Sequence, residues 1–181
     1  MTHLTGFEGC SPHAGPDQSE GCKAQTMIAK KTALKRSSGA KALAKYIAAA
    51  KEKGEKLDQF WLSNCKAGDR LEALDTAIAE VRATQGMNQR SKADPNYHLV
   101  VSFAEGEKPD TDVLKDIELE FAKALGLEDH QRVVGTHTNT ENFHMHIQFN
   151  LLHPEIFRMH TLTRLLGHFR HFPGSPAFSL K

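Results

Sequence analysis

The segment that most constrains the fold is the ten-residue stretch FHMHIQFNLL, residues 143–152. Its apolar and polar residues alternate, and this period of two is typical of a β-strand with one apolar and one polar face. The polar face carries two histidines and two amides, namely His144, His146, Gln148 and Asn150. The pattern therefore predicts a sheet whose non-core side presents imidazoles.

Metal binding is the chemistry that this polar face favours. Histidines two residues apart on a strand start about 6.6 Å apart and point to the same side, whereas this spacing on a helix would separate them. His137 ends the preceding predicted strand, so a hairpin would place it beside His144. Three convergent imidazoles make a divalent-metal site with open positions. The alternative is an exposed polar sheet face in a chain with 11 histidines.

A nucleophile candidate comes from the two tyrosines of the chain. Tyr46 lies in the lysine-rich segment ALAKYIAAAKEKG, where nearby cations favour its phenolate form. The alternative is that Tyr46 packs with Leu43 on the apolar face of a helix. Tyr97 begins the strand YHLVVSF and is expected to face the core. Ser102, on the opposite face of that strand, is either near the site or simply solvated.

Charge is unevenly distributed, although the formal net charge is only +1. Residues 27–56 contain nine Lys and Arg against two Glu, and residues 105–129 contain nine Asp and Glu against three Lys. One basic and one acidic side suit a protein with a single surface for a polyanion. Two solvated helical faces of opposite sign are the alternative.

The remaining periodicities predict an α+β domain. Helices are expected over about 39–53, 69–84 and 110–125. Strands are expected over 60–63, 97–103, 131–137 and 143–152, after a short apolar segment at 27–29. Short connections favour antiparallel pairing, so we expect an antiparallel sheet with helices packed on one face.

The two ends differ in composition from the middle of the chain. Residues 1–26 are rich in Gly, Ser, Pro and His and are predicted to be a disordered extension. Residues 165–181 are expected to be a divergent tail, either disordered or truncated, which leaves residues 27–164 as the domain. An odd count of three cysteines, no signal peptide and no run of 18 apolar residues favour a cytoplasmic protein without membrane insertion.

Several segments, in the right order, resemble the P-type relaxases of conjugative and mobilisable plasmids, which belong to the HUH nuclease superfamily. They run from Met27 to about Thr163 and comprise MIAKK, LAKYI, SNC, YHLVVSFAEGEKPD, GLEDHQRV, HTNTENFHMHIQFNLLHPE and HTLTR. The resemblance implies an HUH-type antiparallel sheet. It also implies a metal-dependent enzyme that nicks one strand of origin-of-transfer DNA.

Roles for individual residues follow from this resemblance. Tyr46 would be the nucleophile that becomes joined to DNA, and Ser102 would contact DNA near the nick. The third motif, His137, His144 and His146, would bind a divalent metal, and His144 would also assist catalysis. Mg²⁺ or Mn²⁺ is expected, with Zn²⁺ or Ni²⁺ as alternatives.

Two further groups of residues complete the expected site. Relaxases of this type usually carry acidic residues two and four positions after the first histidine, where this chain has Asn139 and Glu141. The asparagine is expected to weaken activity if the acid polarises a histidine or accepts the tyrosine proton. The residues expected to contact DNA are Lys30, Lys31, Lys35, Arg36, Lys41, Lys45 and Asn150.

The predicted function is site- and strand-specific nicking of origin DNA by tyrosine transesterification, for conjugative transfer or plasmid mobilisation. The expected partners are single-stranded or supercoiled origin DNA, accessory relaxosome proteins and a coupling protein. The alternatives are a rolling-circle replication initiator or transposase of the same superfamily, a truncated and catalytically weak origin-binding protein, and a small-molecule metalloenzyme. A metal-dependent protein–DNA adduct distinguishes the nicking enzyme from the last two.

Overall fold

One sheet organises the part of the chain that the structure, a computed structural model, describes, namely residues 27–32, 39–48, 57–138, 142–162 and 178–180. Its strands are β1 (Met27–Lys31), β2 (Leu57–Ser63), β3 (Asn96–Ser102), β4 (Arg132–His137), β5 (His144–Asn150) and β6 (Phe178–Leu180). They lie in the order β2-β4-β5-β3-β1-β6. Every pairing is antiparallel except that of β1 with β6. The predicted antiparallel sheet is confirmed.

Three α-helices accompany the sheet in these residues: α1 (Ala40–Ala48), α2 (Leu74–Gly86) and α3 (Thr111–Leu125). The helix predicted over 69–84 begins instead with a 3₁₀ turn at Leu71–Ala73. α3 ends at Gly126, whose φ of 68° is the left-handed conformation that glycine adopts at low cost. The helix predicted over 39–53 is observed as α1, and residues 49–53 lie outside the described residues.

The helices are divided between the two faces of the sheet. Phe121 and Ile117 of α3 belong to one buried cluster, together with Val134 and Met145 of the central strands. The second cluster joins α1 and α2 to the other face. The α+β class is confirmed, but the expectation that all helices lie on one face is not what the structure has.

The reason for this division lies in adjacent apolar residues on β2 and β4. Trp61 packs in the first cluster and Leu62 in the second, and Val134 and Val133 divide in the same way. Since neighbouring residues on a strand point to opposite faces, both faces carry apolar surface that must be buried. The strict alternation of β5 predicted only one such face.

The ends of the chain bear on the predicted domain limits. Residues 1–26 lie outside the described residues, as do 163–177. Residues 178–180 form β6 and pair with Met27–Ala29, so this part of the predicted tail joins the sheet. Among the described helices, none is long and apolar enough to cross a membrane.

Candidate metal and nuclease site

The β4–β5 hairpin brings the three motif histidines together. His137 and His144 are directly opposite each other in the antiparallel register, and His146 lies opposite Gly135. Ring centroids are 5.5 Å apart for His137 and His144, 4.6 Å for His137 and His146, and 4.9 Å for His144 and His146. One ring nitrogen from each lies within 4.8 Å of the others. The predicted convergence of these imidazoles is therefore present.

The tautomers of the clustered histidines suit a metal ion. The Nε2 of His137 lies 2.9 Å from the carbonyl oxygen of Ile47, and the Nδ1 of His144 lies 3.1 Å from that of Asn142. A carbonyl only accepts, so each of these nitrogens is the protonated one and the second nitrogen of each ring keeps its lone pair. The buried Nδ1 of His137 and Nε2 of His146 have no hydrogen-bond partner among the described residues. A divalent cation would satisfy them.

The lowered pKa of His146 also favours metal binding. Its pKa is lowered to about 2, mainly by burial and further by the neighbouring His137, His98 and His144. Burial also lowers the pKa of His98 to about 4. Neutral rings keep the lone pairs that a metal ligand needs. Near neutral pH His146 is therefore neutral and able to bind a cation.

Tyr46 projects from α1 onto this cluster. Its ring centroid lies 5.7 Å from that of His146 and 6.3 Å from that of His137, in edge-on arrangements. The side chain is 47% exposed, whereas the neighbouring Ile47 is fully buried. The helix therefore buries its apolar residues and leaves the phenol accessible beside the histidines. Tyr97 lies in the core at 5% exposure, as predicted.

A glycine in β4 sets the distance between α1 and the sheet. A β-carbon on Gly135 would lie 2.7 Å from the Cγ2 of Ile47 and 3.0 Å from its carbonyl oxygen. Only a residue without a side chain fits this approach. The same carbonyl accepts the His137 hydrogen bond. Gly135 thus positions the end of α1, and with it Tyr46.

Ser102 and Lys30 lie on the face of the sheet that carries the cluster, and a basic groove lies beside α1. Ser102 is opposite His144 in the β3–β5 register, and Lys30 is opposite Val100 on the neighbouring strand. A surface groove of about 540 Å³ is lined by Lys41 and Lys45 of α1 together with Arg82 of α2. Arg82 escaped the sequence analysis, because it lies outside the basic segment and only the packing of α1 on α2 brings it there.

The structure does not bring all the predicted residues to the site. Asn150 is 1% exposed, lies at the far end of β5 from His144, and is hydrogen-bonded to Gln131, Gln85 and the Leu152 amide. It is therefore not available to DNA in this conformation. Lys31 lies 5.5 Å above the ring of Tyr97. Four predicted residues lie outside the described residues: Lys35, Arg36, Asn139 and Glu141.

One residue at the cluster escaped the sequence analysis altogether. His98 of β3 is 3% exposed, and its Nε2 lies 3.0 Å from the Nδ1 of His146. The alternation of YHLVVSF placed His98 on the same face as Ser102. No signal in the sequence indicated that its ring would meet that of His146, because the two strands are 48 residues apart in the chain.

Comparison with known proteins agrees with this geometry. A family model of the MobA/VirD2-like relaxase nuclease domain matches residues 43–170, which is more than half of the chain. The chain belongs to the MobA/VirD2-like relaxases. The resemblance predicted from the motifs is confirmed, and the matched region contains Tyr46, Ser102 and the three clustered histidines.

Three curated relatives share parts of this relaxase domain. A protein TraI of Escherichia coli is 43% identical over 118 residues, which cover 65% of this chain and 15% of the relative. A second TraI of Escherichia coli is 46% identical over 112 residues, covering 62% of this chain and 15% of the relative. Protein MobA of Acidithiobacillus ferrooxidans is 39% identical over 70 residues, 39% of this chain and 17% of the relative. The matched part of this chain thus spans less than a fifth of each relative, and no solved structure matches significantly.

Proposed function

We propose that this relaxase domain nicks one strand of origin-of-transfer DNA by metal-dependent transesterification on Tyr46, for conjugative transfer or plasmid mobilisation. The observation that carries the proposal is the placement of an accessible phenol 5.7 Å, between ring centroids, from a buried histidine of the three-histidine cluster. A nucleophile beside a divalent-cation site is the arrangement that phosphoryl transfer needs. The family membership of the chain supports the same chemistry.

The metal would be held by Nδ1 of His137, Nε2 of His144 and Nε2 of His146. When bound, it would act as a Lewis acid on a non-bridging oxygen of the scissile phosphate. Three imidazole ligands favour Mn²⁺, Zn²⁺ or Ni²⁺ in affinity, and the abundance of Mg²⁺ in cells keeps it a candidate. The cluster alone does not select among these ions.

The reaction on Tyr46 exchanges one ester for another. The phenolic oxygen attacks phosphorus in line, a new O–P bond joins Tyr46 to the 5′ phosphate of the fragment downstream of the nick, and the bond to the 3′ oxygen of the upstream fragment breaks. The proton lost by the phenol passes to a base, and the departing oxygen takes up a proton to give a 3′ hydroxyl. Since an ester is formed for each one broken, the step is close to balanced and can be reversed to rejoin the strand.

DNA would approach along the face that carries α1. Lys30, Lys41 and Lys45 are exposed, and Arg82 lines a groove with the last two. Such side chains hold phosphates without reading bases, so they position the strand. Single-stranded or supercoiled origin DNA is the proposed substrate, with accessory relaxosome proteins and a coupling protein as partners in the cytoplasm.

The second candidate function is a catalytically weak origin-binding protein. Asn139 favours it, because the resemblance places an acidic residue at that position and an amide cannot accept the phenolic proton as a carboxylate does. Such a protein would retain DNA binding and lose cleavage. The covalent adduct is therefore the measurement that decides between the two candidates.

The experiment is cleavage of a 5′-labelled and a 3′-labelled origin strand, with and without divalent metal. We expect the downstream fragment, which carries the 3′ label, to remain on the protein through its 5′ phosphate, and the released upstream fragment to end in a 3′ hydroxyl. Tyr46→Phe keeps the ring and should bind DNA normally while the adduct disappears. Tyr97→Phe, the matched control in the core, should keep the adduct.

Two outcomes contradict the proposed mechanism: an adduct mapped to Tyr97, and hydrolysis without an adduct. Specific DNA binding without cleavage favours the catalytically weak origin-binding protein.

A further inference from the structure

A pair of buried histidines links the metal cluster to the neighbouring strand. His98 of β3 and His146 of β5 are 3% and 5% exposed, and their rings are stacked with centroids 5.2 Å apart and planes 18° from parallel. The Nε2 of His98 lies 3.0 Å from the Nδ1 of His146. At this distance one nitrogen donates a proton and the other accepts it.

The direction of this hydrogen bond decides whether His146 can bind a metal. If His146 donates from Nδ1, its Nε2 carries the lone pair that faces the other two histidines. If His98 donates from Nε2, the Nδ1 of neutral His146 accepts, its single N–H proton is on Nε2, and Nε2 cannot bind a metal. The two arrangements have the same heavy-atom positions and differ only in which ring is protonated where.

The other two ligands have no such freedom. His137 and His144 each donate to a backbone carbonyl, of Ile47 and Asn142 respectively, and a carbonyl fixes the tautomer because it only accepts. The Nδ1 of His146 instead meets the ring of His98, whose Nε2 can either donate or accept, so this contact alone does not fix the tautomer of His146. The third ligand of the cluster therefore depends on the identity of residue 98.

We propose that His98 is a positioning residue, which accepts the Nδ1 proton of His146 and thereby keeps the Nε2 of His146 available to a divalent cation. Partners that orient ligating histidines in this way commonly tune metal sites. In this arrangement the proton of His98 is on Nδ1, which is buried and has no hydrogen-bond partner among the described residues. The inference rests on the metal site of the proposed function, and it extends that site to a residue of a third strand.

The test is a titration of the metal-free protein with Co²⁺, followed by calorimetry and by the visible absorption of the bound ion. His98→Leu removes the acceptor and should weaken Co²⁺ binding about 10- to 100-fold. His98→Gln places an amide oxygen near the position of Nε2 and should bind within about threefold of the wild type. His130→Leu is the matched control, because His130 is equally buried at 2% exposure and lies outside the cluster. It should bind Co²⁺ as the wild type does.

The outcomes separate the inference from the proposed function. A wild-type protein that binds no Co²⁺ contradicts the metal site itself. Wild-type binding that His98→Leu leaves unchanged, or that His98→Gln weakens as much as His98→Leu does, overturns the role of His98 alone. Should His98→Leu not fold, ring ¹⁵N chemical shifts of the metal-free wild type give the tautomer directly. His146 protonated on Nδ1 supports the inference, and His146 protonated on Nε2 overturns it.

Discussion

His144 is the member of the cluster that reaches furthest toward solvent. It is half-buried, whereas His137 is fully buried and His146 is 5% exposed. Its Nδ1 donates a hydrogen bond to the carbonyl of Asn142, two residues earlier in the chain. A substitution here therefore removes a ligand with little loss of core packing.

From this position we expect His144→Ala to separate chemistry from DNA binding. Loss of one of three imidazoles should reduce metal affinity by at least tenfold and reduce cleavage with it. Affinity for the uncut origin strand should change by less than about threefold, because phosphate contacts from basic side chains supply most of it. His153→Ala, a half-buried histidine outside the cluster, is the control and should leave both unchanged. Equal loss of cleavage and of DNA affinity would place His144 in DNA binding instead.

At the residue scale, the alternation of β5 was enough to predict which side chains share a face. The alternation predicted that His144 and His146 share one side of the strand, and the predicted hairpin placed His137 beside them. The observed register of β4 and β5 has this arrangement. The alternation does not show which side chains pack over that face. The polar side includes Asn150, which the sequence predicts to contact DNA, but the side chains of Gln131, just before β4, and of Gln85 in α2 satisfy its hydrogen bonds. His98 was missed because a contact between rings on different strands leaves no local pattern.

The element that adds the proposed nucleophile to the histidine cluster is α1. It contributes Tyr46 to the exposed side and Leu43, Ala44 and Ile47 to the buried side. The helical spacing of apolar residues predicted α1. How closely α1 approaches the sheet depends on Gly135, a strand residue about 90 positions away in the chain. An isolated glycine within a strand indicates a close backbone approach without saying which element comes near.

This dependence makes Gly135→Ala a test of how α1 is positioned. The new methyl group would meet Ile47 at 2.7 Å, so α1 must shift or the core must expand. We expect the free energy of unfolding to fall by about 1–3 kcal/mol, measured by denaturant titration. We also expect adduct formation to fall more than metal affinity does, because Tyr46 moves with the helix while the hairpin keeps the histidines.

The matched control is Gly86→Ala at the end of α2, where a β-carbon meets nothing within 4 Å. Alanine there should leave activity unchanged and stability unchanged or slightly higher. If Gly135→Ala keeps wild-type stability and activity, the close approach of α1 to β4 is not what fixes Tyr46.

Among the described helices, α1 and α3 differ in charge: α1 carries Lys41 and Lys45 and no acidic residue, whereas α3 is mostly acidic. The face covered by α1 and α2 presents Lys41, Lys45 and Arg82 around one groove. α3, on the other face, carries several acidic residues and only two lysines, Lys115 and Lys123. The uneven composition of residues 27–56 and 105–129 predicted this difference, and the described helices of the two segments, α1 and α3, lie on opposite faces of the sheet.

The salt dependence of DNA binding tests this polarity with two charge-matched double variants. Lys41→Ala with Lys45→Ala removes two cations from the groove, and Lys115→Ala with Lys123→Ala removes two from α3. Each phosphate contact contributes about 0.7 to the slope of log affinity against log salt for a single strand, so the groove variant should flatten the slope by roughly 1.4. The α3 variant should keep the wild-type slope, because its lysines face away from the bound strand.

The slopes are measured by fluorescence anisotropy of a labelled strand between low and moderate salt. Equal flattening by both variants would mean that only net charge matters, and flattening by the α3 variant alone would place the strand on the opposite face from Tyr46.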